Sequence, residues 1–257
     1  MANTTVEADG KESAAETCEI GAVRLRSAQQ ALQWWILGLR LWRRAPLRLT
    51  LLCLAPLVVE AVLQVIPIVG IVLSKVVVPL FSFGVLVVLD RVWRSRLFSL
   101  RGLLWSFRKD HFWIALEVAL VLLAVFAFQV FVAYAAYGYA AVDAVVFGRI
   151  AEHRELLNHT FVLTLILPGE LPATLLMFLV PLVVLDGVRP LRAAGISIRL
   201  LAFSPASLLL TCGVSGLLLG AALTWGYGLP MLVVIPWMSI MGYAAYRDVF
   251  PIARTDE

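Results

Sequence analysis

Charge is what this sequence is short of. Asp, Glu, Lys and Arg make up 15% of its 257 residues, 61% are hydrophobic, and the mean hydropathy is +0.92. Water-soluble domains run near half apolar and a quarter charged, so the shortage excludes an ordinary soluble fold and places the chain among membrane proteins. Cysteine is scarce too: Cys18, Cys53 and Cys212 show neither a Cys-x-x-Cys pair nor a disulfide-framework spacing, and they read as small apolar fillers plus one tail thiol. Of the three histidines, His153 and His159 stand with Glu152 and Glu155 in "AEHRELLNH". That stretch contains no H-E-x-x-H and reads as a solvated loop, so no metal is expected. A Gly-rich phosphate loop, a G-x-S-x-G elbow and paired catalytic carboxylates are all missing, so neither an enzyme nor a cofactor is expected. The start has no basic segment, short apolar core and small-residue cleavage site in succession, and a cleaved signal peptide is not expected.

What is present is organised by hydropathy. Residues 1–20 carry Glu7, Asp9, Glu12, Glu16 and Glu19 against Lys11, with no aromatic residue, and are expected to form a disordered acidic tail. Residues 21–250 form a single membrane domain, followed by a short tail over 251–257. Apolar runs fall at about 49–66, 69–89, 112–141, 161–185, 206–224 and 229–246. They predict an all-α polytopic protein with six transmembrane helices in three hairpins, each needing about 20 residues to cross the hydrocarbon. Short turns at "IPIVG" and "WGYGLP" join the first and last pairs.

The basic residues are one-sided. Arg24, Arg26, Arg40, Arg43, Arg44 and Arg48 precede the first span; Arg91, Arg94, Arg96, Arg101, Arg108 and Lys109 follow the second. Arg189, Arg192 and Arg199 follow the fourth, and Arg247 and Arg254 the sixth. The other side has only Arg149 and Arg154, so the margin is seventeen to two. By the positive-inside rule both termini are expected in the cytoplasm.

Each basic segment also shows helical periodicity. In "RSAQQALQWWILGLRLWRR" the polar positions Arg26, Gln30, Gln33, Arg40 and Arg44 alternate with Trp34, Trp35, Leu39 and Trp42. Such a helix is expected in the headgroup plane, with arginines on anionic lipid and tryptophans at the interface. "LFSLRGLLWSFRKDHF" repeats the recipe, and "PLRAAGISIRLLAFSP" does so more weakly. Arg40, Arg43, Arg44, Arg101, Arg108 and Lys109 are thus candidate headgroup contacts, flanking spans rather than forming a nucleic-acid patch. A three-fold repeat of amphipathic helix, span, span is the inference, supported by "VVLDRV" from Val87, "VVLDGV" from Val183 and "AAYRDVF" from Ala244. The plainer alternative is that helices leaving a membrane commonly end in a charge.

Three charges lie inside apolar runs: Glu60, Lys75 and Glu170. An ionised group at the centre of a span costs roughly 2.5 to 3.5 kcal/mol on insertion scales, so each calls for a reason. Counted from the turn near Ile68, Glu60 lies eight residues back and Lys75 seven forward. Their depths match, with Gln64 one turn from Glu60, and a structural pair is the economical reading. Snorkelling with neutralisation, or a transport role, are the alternatives. Glu170 follows Pro168 and Gly169 and precedes Pro172 in "LPGELPATLL". The fourth span is therefore expected either to break there or to begin with a re-entrant piece, and broken spans are where transporters build sites.

The run from about Gln33 to Phe250 resembles a family of six-span bacterial inner-membrane proteins without an assigned activity. The resemblance rests on "WRRAPLRLTLLCLAP" leading to "IPIVG", on "VPLVVLDGVRPLRAAGISIR" and on "IPWMSIMGYAAYRDVF". In layout the chain is more distantly similar to the membrane domain of some glycerophosphodiester phosphodiesterases. The resemblance implies a bacterial inner-membrane location. The expected function is a non-enzymatic scaffold or lipid-interacting protein, with anionic lipids and a membrane protein as expected partners and no nucleic acid. The alternative is a small transporter or flippase-like protein using Glu60, Lys75 and Glu170.

Overall fold

A computed structural model of the chain describes residues 28–66, 69–95, 98, 100–156, 158–225 and 229–251. The acidic tail, Cys18, Arg24, Arg26, the centres of both short turns and the final tail lie outside the described residues, as does the Lys109 side chain. The described chain is all-helical: α1 (Ala28–Trp42), α2 (Pro46–Gln64), α3 (Gly70–Ser95), α4 (Lys109–Tyr137), α5 (Tyr139–Val146), α6 (His159–Ile166), α7 (Glu170–Leu175), α8 (Leu179–Asp186), α9 (Pro190–Ala202), α10 (Pro205–Trp225) and α11 (Met231–Val249). Short 3₁₀ helices cover Leu100–Phe107, Ile150–Leu156 and Leu167–Gly169.

Helix starts follow local chemistry. Pro46 and Pro190 occupy first-turn positions of α2 and α9, where a missing N–H goes unmissed. Asn158 caps α6 by accepting from the Phe161 N–H at 2.8 Å. Gly187, left-handed at φ 67°, stops α8 directly after Asp186.

Four stretches are long and apolar enough to cross a membrane: Pro46–Gln64, Gly70–Arg94, His111–Tyr137 and Pro205–Ala222. The bent pair His159–Leu175 and Leu179–Asp186 makes a fifth if taken as one span. The third expected span, 112–141, ends earlier, at Tyr137, because the chain turns at Gly138. The sixth, α11, has 19 residues but carries Arg247 and Asp248 in its last turn. Only 17% of the α2 and α4 windows is buried, against 44% for α3, so α3 is an inner helix and α2 and α4 are outer ones. The outer faces are apolar, as Leu51, Val58, Leu120, Phe131, Leu209 and Leu217 show, which suits hydrocarbon and not water.

The connecting elements share a docking pattern. Each connecting element docks on the second span of the preceding unit: the 3₁₀ helix Leu100–Phe107 on α3, α9 on α8, and α1 on α11, the last contact joining the first unit to the third. Two of these dockings require glycine. A Cβ on Gly84 would lie 2.4 Å from the Leu103 carbonyl oxygen, and one on Gly38 would lie 2.9 Å from Met241 Cα. Backbones this close leave no volume for a side chain.

Three expectations change here. First, Trp34 and Trp35 of α1 face protein and not the interface. Trp34 is 0% and Trp35 6% exposed, packed in the main core with Phe178, Met241 and Tyr246. Second, the segment before α4 is a 3₁₀ helix of 8 residues rather than an α-helix, tightened by its docking on Gly84. Third, the bend in the fourth span lies at 176–178 and not at Pro168–Pro172. It measures 44° between Leu175 and Leu179.

The cause of that bend is Pro181, which cannot donate to the carbonyl four residues back, and the turn before it tightens. Leu179 N then donates to Leu176 O and Met177 N to Thr174 O, which strands Leu175 O and Phe178 N. The buried Ser197 hydroxyl of α9 replaces both bonds, donating to Leu175 O at 2.7 Å and accepting from Phe178 N at 3.1 Å. At Leu167–Gly169 the helix only tightens to 3₁₀, and the freed Ile166 carbonyl accepts from Gln129 Nε2 of α4 at 3.2 Å. Side chains of neighbouring helices thus repair both irregularities, as a span in hydrocarbon requires.

Candidate functional site

The intramembrane charges come first. Glu60 on α2 and Lys75 on α3 meet across the hairpin, Nζ donating to Oε1, and Gln64 Nε2 donates to the same oxygen at 3.1 Å. Their side chains are 22% and 28% exposed. Lys75 Nζ also stands 5.2 Å from the centre of the Phe126 ring on α4. A paired, hydrogen-bonded charge avoids most of the cost of a lone one at this depth. Glu170 does not join them. It begins α7, its carbonyl accepts from Thr174 Oγ1 at 2.7 Å, and its carboxylate forms no ion pair among the described residues.

A second cluster lies at the arginine-rich end, where α3, α8 and α11 finish. Arg247, its side chain 4% exposed, donates from Nε and Nη2 to Asp90 Oδ1, and Nε also reaches the Tyr243 hydroxyl at 3.1 Å. Tyr243 donates to the same carboxylate at 2.9 Å, and Arg94 meets its other oxygen at 2.8 Å. The guanidinium stands 5.8 Å from the Tyr243 ring centre and 5.0 Å from that of Tyr246. The Tyr246 hydroxyl donates to Asp186 Oδ2, and Trp34 Nε1 of α1 donates to Asp248 Oδ2 at 2.9 Å. The acids ending the three repeated units therefore hold one clasp, with α11 at its centre. Its partners compensate one another, so its evident capacity is to fix helix ends. Sequence reading marked Asp90, Asp186 and Asp248 as repeat signatures but gave them no role; their shared register was the available signal.

The connection between α4 and α6 is structured rather than a free loop. Asp143 of α5 receives His153 Nε2 at 3.0 Å and Arg149 Nη1 at 3.4 Å, and Glu155 stands 3.6 Å from His153 Nδ1. No group of three or more metal-ligating side chains occurs among the described residues. The hydrogen bond to Asp143 raises the His153 pKa above its ordinary value, outweighing desolvation. A raised histidine pKa adds stability that is full below the unfolded value of about 6.5 and lost as pH rises through the folded value. Thermal unfolding in detergent should therefore show a midpoint falling from pH 6 towards pH 9, and His153→Gln should remove that part of the slope. An unchanged slope in the variant would show that the imidazolium contributes nothing.

The expected headgroup contacts lie on the surface. Arg40, Arg43, Arg44, Arg101 and Arg108 are exposed, with Arg44 5.6 Å from the Trp93 ring centre. Arg48 and Arg199 are exposed as well. Compared with protein-family models, with curated proteins and with solved structures, the chain shows no match.

Proposed function

We propose that this is a multi-pass protein of the bacterial inner membrane, with both termini cytoplasmic, that gathers anionic lipid around its arginine-rich end and acts there as a non-enzymatic scaffold. One observation carries the reading. The docking elements α1, the 3₁₀ helix Leu100–Phe107 and α9 pack on the bundle and leave Arg40, Arg43, Arg44, Arg101, Arg108 and Arg199 exposed. Exposed guanidiniums on docked elements are available to anionic headgroups, and each cation near an anionic leaflet contributes about 1 kcal/mol of attraction.

The sidedness follows from the same residues by the positive-inside rule. It also makes α11 the sixth span. Its 19 residues extend about 28 Å at 1.5 Å each, and Arg247 is neutralised by Asp90 where a span must carry a charge. The resemblance to six-span bacterial inner-membrane proteins supports the location. A membrane-protein partner fits a scaffold of this kind.

Arg40→Gln/Arg43→Gln/Arg44→Gln should lose most of the anionic lipid retained by the purified protein, as measured by native mass spectrometry, while its unfolding midpoint stays put. Equal retention of phosphatidylglycerol by both proteins would remove the lipid reading.

A further inference from the structure

Towards the end opposite the clasp the bundle loosens. The second half of α2 and the Val65 that follows it are largely exposed, with Val58, Val62 and Val65 at 60%, 64% and 79%, and α11 begins with exposed Leu232 and Val233. Between α2, α3, α8 and α11 lies a crevice of about 260 Å³ that stops at Tyr243, directly above the clasp. Leu86, Leu89, Met177, Val180 and Met238 supply most of its wall.

Its hydroxyl groups are satisfied from within. Ser82 donates to Val78 O at 3.1 Å, Ser239 to Ile235 O at 3.0 Å and Tyr243 to Asp90 at 2.9 Å. None of the buried side-chain nitrogens or oxygens left without a partner among the described residues belongs to the wall. An apolar cavity of about 150 Å³ already takes up benzene or xenon, so a larger one beside hydrocarbon does not stay empty.

The opening is marked chemically. Glu60 lies seven residues from Cys53 and four from Pro56, both in the wall, and Lys75 lies seven residues before Ser82. Spacings of four and seven return to one helix face, so the ion pair stands above the crevice on the faces that line it, about 6 to 10 Å along the axes. Lys75 has three N–H donors, and one is engaged by Glu60.

We propose that this crevice binds one acyl chain of a membrane phospholipid, with the chain end against Tyr243 and the phosphate or ester oxygens at Lys75. The wall fits the chain, the two N–H donors that Lys75 keeps beyond its bond to Glu60 fit the phosphate or ester oxygens, and the exposed flanks of α2 and α11 border the lipid that supplies it. The site shares no residue with the arginines proposed to hold headgroups. Failure of one leaves the other standing.

The test uses the full-length protein in native lipid discs containing a phospholipid with a diazirine in mid-chain. After irradiation, labelled peptides are mapped by mass spectrometry. Wild type should be labelled within Cys53–Pro56, Ser82–Leu89 and Met238–Tyr243, as well as on the outer face around Phe128 and Phe131. Gly242 lines the crevice and a Cβ there meets nothing within 4 Å, so Gly242→Leu fills the space without displacing backbone. It should lose the crevice labels and keep the outer ones, and Ser239→Leu should do the same. Labelling confined to the outer face in wild type, or crevice labels that survive in either folded variant, would overturn the proposal. So would crosslinking of these peptides to a second copy of the chain instead of the lipid.

Discussion

Asp90→Ala is expected to lower the unfolding free energy of the bundle by about 3–5 kcal/mol, measured by denaturant titration in detergent micelles. The size comes from what is left behind. Arg247 retains 4% of its side-chain exposure and loses the carboxylate that both its Nε and Nη2 address. The Tyr243 hydroxyl loses its acceptor in the same step, and the two tyrosine rings supply only a fraction of the lost compensation. Asp90→Leu/Arg247→Met should recover most of that loss, because removing both charges ends the desolvation cost along with the attraction. Arg247→Lys should not rescue, since one ammonium cannot copy the planar fork. A single-site loss below about 1 kcal/mol would mean that the clasp admits water and is no part of the core.

Trp34→Ala should cost a similar amount, about 3–5 kcal/mol, and should expose α1 to protease. Its indole is 0% exposed, lies edge-on to Phe178 at 6.3 Å between centroids, and donates to Asp248. Trp34→Phe keeps much of the volume and should lose only the charged hydrogen bond, about 1.5–3 kcal/mol. Trp113, 69% exposed on α4, is the control. Its replacement by alanine should stay within about 0.5 kcal/mol, as surface changes do. Equal effects at the two positions would mean that α1 lies on the membrane surface after all.

These two residues show where sequence reading stopped. Periodicity established that α1 has one apolar face, but a face turned to lipid and a face turned to protein obey the same 3.6-residue rule. Only α11, more than 200 positions away along the chain, decides between them. The Glu60–Lys75 pair was legible because a tight hairpin fixes depth by simple counting. The bend was not: three prolines stand in the fourth span, and which one bends it depends on Ser197 of α9 being at hand to receive the freed backbone groups. The clasp acids were visible as a repeat, yet Asp90 and Arg247 lie 157 residues apart, and no local pattern joins them. Glu170 was singled out by its prolines, and the structure leaves it apart from the pair it was grouped with.

The docking pattern of the connecting elements also sets an order of assembly. α1 leaves the ribosome before every other described helix, and its main docking surface, α11, leaves after all of them, the Trp34–Asp248 bond spanning 214 positions. At about 5–20 residues per second, α1 waits on the order of 10–40 s for that partner. Through that interval its apolar face lacks its main docking surface, and Trp34 can meet Phe178 before it meets Asp248. The bundle closes when the last of the described helices to be made captures the first.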